Sequence, residues 1–277
     1  MGNPFIISTG NYKFIEIYLN NLNSDLKSKL KEYKINYNLL PSKTIFNYHN
    51  FIKSLDTRKI KSSTVKWTNN IIRTLKLDLF NDIDLKTDFI GLIQTSLFKM
   101  FIENEVIIHT LSIEISNYDF YQNEISFIHQ IFNLAKPFKL KSLFIDEKSQ
   151  IDESLKLLLQ KFGGYLENIG CKYSHSIIRT TNTKIIIAKI WLYCKNTKFL
   201  ELYEFKEHHK HYLSIDLIEN IKQNLNYLSI NANSIILRNL GQALPFKLKY
   251  LSLNLINNLI DLEIFLKNSQ NTLIENY

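Results

Sequence analysis

Leu225-Asn-Tyr-Leu228-Ser-Ile230 returns 23 residues later as Leu248-Lys-Tyr-Leu251-Ser-Leu253. Looser copies of this L-x-x-L-x-I/L phrase run back along the chain as Thr197-Lys-Phe-Leu200-Glu-Leu202, Leu166-Glu-Asn-Ile169-Gly-Cys171, Leu140-Lys-Ser-Leu143-Phe-Ile145 and Ile108-His-Thr-Leu111-Ser-Ile113. Apolar residues two apart with a polar residue between them fit a short strand buried on one face. Recurrence of such a strand is the mark of a solenoid, in which neighbouring repeats bury their leucines jointly and present an extended surface. That surface points to binding rather than to chemistry in a cleft.

The phrases begin at positions 108, 140, 166, 197, 225 and 248, giving steps of 32, 26, 31, 28 and 23 residues. These straddle the roughly 20–29 residues of ordinary leucine-rich repeats, so the spacing predicts an irregular array. Between phrases the apolar period lengthens toward that of a helix. Leu155, Leu158, Leu159 and Phe162 form one stripe, followed by Gly163-Gly164 where a helix C-cap would sit. Ser214 to Gln223 and Leu259 to Lys267 repeat the helical half, and a shorter version from Ile235 ends at Pro245. The expected fold is α/β, an irregular leucine-rich-repeat-like solenoid with one short parallel strand plus a helix per repeat. The competing fold is an all-helical solenoid, since short apolar runs are ambiguous; the Ser-Ile and Ser-Leu endings favour strands.

The first hundred residues are patterned differently. Lys13 to Leu19 and Leu22 to Lys31 carry apolar residues at three- and four-residue steps, which predicts two helices or one interrupted helix, ended by Pro41. An amphipathic stretch restarts over Phe46 to Leu55. At least one more helix is expected within Ile71 to Ile102, with Phe89, Leu92, Ile93, Leu97 and Met100 on one side. Residues 1–104 are thus read as a mostly helical N-terminal cap, and 105–277 as the repeat array.

In the repeated phrase the leucines face the core. The residue before the second leucine, the one between the last two and the next one outward then face away. These are Thr110, Ser112 and Glu114; Ser142, Phe144 and Asp146; Phe199, Glu201 and Tyr203; Tyr227, Ser229 and Asn231; and Tyr250, Ser252 and Asn254. Phe199, Tyr227 and Tyr250 are expected to stack as an aromatic ladder. Tyrosine beside serine and asparagine is a composition favoured at recognition surfaces. The candidate partner-binding face is therefore Phe144, Phe199, Glu201, Tyr203, Tyr227, Ser229, Asn231, Tyr250, Ser252 and Asn254. The plainer alternative is that these rings only brace neighbouring strands.

Composition narrows the function classes. With 277 residues and 45% hydrophobic content the chain can bury a sizeable core in one or two domains. Its most apolar run, Ile185 to Leu192, is interrupted by Lys189 and is well short of the ~20 residues that span a bilayer. The first residues lack the features of a signal peptide, and Ile6 stands where a myristoylation signal has Ser or Thr. Cys171 and Cys194, each beside apolar residues, suit buried thiols in a reducing compartment, so a cytoplasmic or nuclear location is expected.

The 34 basic and 26 acidic residues leave a net charge of +8, but the lysines are spread along the chain without a basic run. Nucleic-acid binding is therefore only a remote third reading. His208-His209-Lys-His211 has no cysteine or second histidine pair at ligand spacing and reads as a charged loop rather than a metal site. His109 and His175 are isolated, and Gly163-Gly164 lacks the rest of a phosphate loop. No catalytic residue, cofactor or metal is assigned, and the chain is read as non-enzymatic.

Asn3-Pro4-Phe5, Phe14 to Leu19, Leu39 to Lys43 and Phe46 to Leu55 together resemble the segment that follows the F-box in a large fungal family of F-box proteins with degenerate leucine-rich repeats. Leu157 to Asn168, Leu240 to Pro245 and Leu262 to Asn271 extend the similarity over nearly the whole chain. In that family the F-box docks on the Skp adaptor of a cullin ubiquitin ligase and the repeats select the protein substrate. The resemblance implies a substrate-recognition region, with Skp and cullin as partners only if an F-box is supplied, because just Met1-Gly2 precede Asn3 here. The alternative is a stand-alone interaction scaffold unrelated to ubiquitin. Asn271 to Tyr277 reads as the start of a further strand, which would leave an open edge and favour self-association.

Overall fold

The computed structural model describes residues 14–20, 24–35, 52–103, 108–115, 140–147, 153–173, 190, 192–203, 211–232, 234–255 and 259–274. Among them the chain is α/β, with seven parallel strands and eight α-helices. It divides into two compact units, residues 1–113 with 118–138 and residues 114–117 with 139–277.

The first unit holds α1 (Phe14–Asn20), α2 (Ser24–Glu32), β1 (Ser54–Asp56), α3 (Thr57–Leu75), α4 (Ile83–Glu103) and most of β2 (Thr110–Ile115). The two expected N-terminal helices are present as α1 and α2. Helix α3 follows β1 without a loop because Asp56, in extended conformation, is its N-cap and accepts the Lys59 N–H at 3.0 Å. The buried stripe of α3 is Ile60, Thr64, Trp67 and Thr68. Phe89, Ile93, Leu97 and Met100 of α4 are buried as expected. Trp67 lies 6.1 Å from Phe89, centroid to centroid, and donates its Nε1–H to Glu16 Oε1 at 3.2 Å. Burial pushes up the pKa of the Tyr33 hydroxyl beside this core, and Asp88 and Glu32 add to the effect.

Strand β1 corrects the reading of Phe46 to Leu55 as one amphipathic stretch. Residues 46–51 lie outside the described residues, but Ile52-Lys-Ser-Leu55-Asp-Thr57 is a seventh copy of the phrase. Its first, fourth and sixth residues are at most 1% exposed, as are those of the phrases beginning at 108, 166, 197 and 225. Ser54 pairs with Thr110, which aligns the two phrases position for position.

The second unit runs β3 (Ser142–Glu147), α5 (Glu153–Phe162), β4 (Asn168–Tyr173), β5 (Phe199–Tyr203), α6 (His211–Ile221), β6 (Tyr227–Ala232), α7 (Ser234–Ala243), β7 (Tyr250–Leu255) and α8 (Leu259–Ile274). Its strands are parallel and ordered as in the sequence, β3-β4-β5-β6-β7. All six expected phrases therefore contain strands, which removes the all-helical alternative. The ladder has no slip: Ser142, Asn168, Phe199, Tyr227 and Tyr250, the third residue of each phrase, stand side by side.

A repeated clamp fixes that register. In five of the seven phrases the carbonyl of the second residue accepts two N–H groups from the next phrase. Lys141 O takes Glu167 and Asn168 at 2.8 and 2.9 Å, Glu167 O takes Lys198 and Phe199 at 2.7 and 3.0 Å, and Lys198 O takes Asn226 and Tyr227 at 2.8 and 3.0 Å. Asn226 O does the same for Lys249 and Tyr250, and Lys53 O for His109 and Thr110 in the first unit. Below the clamp, Asn196 Nδ2 donates to Gly164 O at 2.7 Å and Asn224 Nδ2 to Lys195 O at 3.0 Å. Each asparagine sits immediately before its phrase, so the pair forms a short side-chain ladder tying successive turns together.

Two expectations are revised in the helical layer. Gly163-Gly164 does not make a left-handed C-cap, since neither glycine has positive φ; a 3-10 turn over Gly163–Tyr165 follows α5 instead. Gly163 provides space, because a Cβ there would lie 2.7 Å from Tyr193 Cβ. Asn271 to Ile274 continue α8 rather than begin a strand, and residues 275–277 lie outside the described residues. Helix α8 packs on α7 through Asp261, Phe265 and Ser269, spaced four apart. Gly241 permits that approach, as a Cβ there would stand 2.9 Å from Phe265 O.

Candidate functional site

Every candidate face residue lies on a strand at the expected outward position. Phe144 is on β3, Phe199, Glu201 and Tyr203 on β5, Tyr227, Ser229 and Asn231 on β6, and Tyr250, Ser252 and Asn254 on β7. From β3 to β6 the core side is closed, with Leu143, Ile169, Leu200 and Leu228 at 0% exposed, whereas Leu251 and Leu253 of β7 are half-buried. Two of the face residues are not open, however. Ser229 and Asn231 of β6 are 2% and 7% exposed.

The zero-slip register converts the third position of successive phrases into a column of rings. Phe199 and Tyr227 stack with centroids 4.1 Å apart and planes 14° from parallel. Tyr227 and Tyr250 follow at 4.6 Å and 7°. Phe144 closes the other end edge-on to Phe199, at 6.4 Å and 71°. Tyr250, on the last strand of the described sheet, is 54% exposed.

Strand β4 supplies the residues that the sequence reading left out of the face, Asn168, Gly170 and Lys172. They occupy the same outward positions in the phrase Leu166 to Cys171, so the arithmetic that found the other rows also finds them. Asn168 Nδ2 donates to Ser142 Oγ at 2.8 Å. Gly170 is where Phe144 settles: a Cβ on it would lie 2.4 Å from Phe144 Cδ1 and 3.3 Å from Glu201 Oε2. The ring and the carboxylate thus meet over bare backbone.

Polar groups are concentrated beside the ladder. Tyr203 OH is hydrogen-bonded to Glu201 and lies 3.1 Å from Ser229 Oγ. The bond to the Glu201 carboxylate raises the Tyr203 pKa, so the hydroxyl keeps its proton and donates it. Asn231 Oδ1 is buried and has no hydrogen-bond partner among the described residues.

Other features fall away from this face. His208, His209 and His175 lie outside the described residues, and α6 begins at His211. No group of three or more potential metal ligands occurs among the described residues. Cys171 and Cys194 are buried and not joined in a disulfide, and burial pushes the Cys194 thiol up to about 12. No helix among the described residues is long and apolar enough to cross a membrane. No protein-family model, curated protein or solved structure matches the chain.

Proposed function

We propose that this chain is a non-enzymatic protein-protein recognition module, an irregular leucine-rich-repeat-like solenoid resembling the substrate-binding part of an F-box ubiquitin-ligase receptor. The observation that carries the reading is the continuous column of Phe199, Tyr227 and Tyr250 on the sheet face opposite the buried leucines. Stacked rings are already ordered, so a partner that lies across their edges gains apolar contact without freezing side-chain rotamers. Ser252 and Asn254, on the same strand as Tyr250 and not buried, offer adaptable hydrogen bonds. Nothing in this mode of action needs a nucleophile, a general base or a cofactor.

The test is affinity purification of the tagged chain from its native cells, in parallel with a Tyr227→Ala/Tyr250→Ala variant, followed by mass spectrometry. The wild-type chain is expected to retain a protein partner that the variant loses. Skp and cullin subunits at near-stoichiometric levels would support the ligase-receptor reading. A partner recovered without them would favour a stand-alone scaffold on the same face. Equal recovery by both chains would remove the ladder as the recognition surface.

A further inference from the structure

The chain carries a net charge of +8, yet the face of the second unit places the Glu201 carboxylate where no described residue forms an ion pair with it. Glu201 stands between Gly170 and Ser229 in the ladder, half-buried. Its one described hydrogen-bond partner is the Tyr203 hydroxyl. The Phe144 ring reaches the same spot over Gly170, with Phe199 edge-on to it. A carboxylate beside a ring wall is complementary to a group that is cationic, flat and rich in N–H donors.

We infer that the face receives an extended segment of a partner protein through an arginine side chain, with Glu201 accepting the guanidinium and Phe144 as its stacking wall. The inference rests on the recognition reading above and names the chemistry that reading leaves open. Arginine fits better than lysine because a planar fork can pair with a carboxylate and lie on a ring at once. Lys172, across from Asp146 in the ladder and exposed, offers the partner a second charge of opposite sign to Glu201.

The experiment is an array of random short peptides probed with the purified full chain at physiological salt. A protein of net +8 attracts acidic peptides non-specifically, so a preference for basic ones must come from a local site. Arginine-containing peptides are expected to dominate the captured set. Glu201→Gln, which keeps the shape and the bond to Tyr203, is expected to weaken their capture about tenfold, the scale of one partly exposed charge pair. A melting temperature close to that of the wild-type chain checks that this variant folds. A captured set without arginine enrichment, or equal capture by Glu201→Gln, would overturn the inference. Loss of capture by Tyr227→Ala/Tyr250→Ala alone would then still uphold the recognition reading. An array left blank by the wild-type chain would overturn the arginine assignment, while the purification from cells decides the broader reading separately.

Discussion

Tyr227 has a ring against each of its faces, Phe199 at 4.1 Å and Tyr250 at 4.6 Å, and both stacks are close to parallel. Each such pair contributes about 0.5–1.5 kcal/mol beyond its buried area, so the ladder also braces the strands. The two roles separate by what survives truncation: the buried leucine face is untouched by Tyr227→Ala, and cooperative unfolding should persist. Asn231 gives a separate prediction on stability. Its buried Oδ1 has no donor among the described residues, so Asn231→Leu should leave stability unchanged or raise it. Chemical denaturation of the variant checks this, and a loss of more than about 1 kcal/mol would reveal an internal donor instead.

The strands were readable in the sequence because alternation within six residues and recurrence across the chain agree. Leu225 to Ile230 states the pattern, and each copy adds a constraint that an isolated apolar run lacks. The first copy escaped because its sixth residue is Thr57 and its fifth, Asp56, already caps α3. A helix beginning inside the phrase masks the strand. Asn271 to Ile274 failed in the opposite sense: a short apolar run after Lys267 extends α8 as readily as it begins a strand. The asparagine pair was visible as Asn196-Thr197 and Asn224-Leu225, but the carbonyls it reaches belong to the preceding turn and only the register supplies them. The two adjacent glycines of the α5 turn give a prediction at this scale. Gly163→Ala should destabilise by about 1–3 kcal/mol, since its Cβ would meet Tyr193 Cβ at 2.7 Å and Tyr193 backbone at 3.0 Å. Gly164→Ala, with nothing within 4 Å and no positive φ, should be neutral or gain about 0.4–1 kcal/mol. Thermal melts of the pair read the contrast directly.

For the molecule as a whole, folding and recognition draw on opposite faces of the same strands. The leucine side holds the parts that must stay dry, including Cys194, whose thiol burial pushes from an ordinary 9.0 to about 12 despite the opposing charge of Lys195. Between those values the unfolded chain has lost this proton and the folded chain has kept it. The contribution is therefore intact below pH 9, falls as pH rises and is gone above about 12. Denaturation midpoints across that alkaline window should drop, and replacing Cys194 by Ala should remove this component of the drop. The other face supplies the function, and its column of rings was legible from three residues at one phrase position. The arrangement over Gly170 was not, because it depends on Phe144 crossing from the neighbouring strand. The most direct measurement is the dissociation constant of the partner recovered from cells, titrated onto wild-type chain and onto Tyr227→Ala/Tyr250→Ala. A recognition face predicts binding weaker by roughly 1000-fold, the scale of two truncated aromatic anchors of about 2 kcal/mol each, with unfolding still cooperative. An unchanged dissociation constant would contradict it and leave the ladder as strand packing alone.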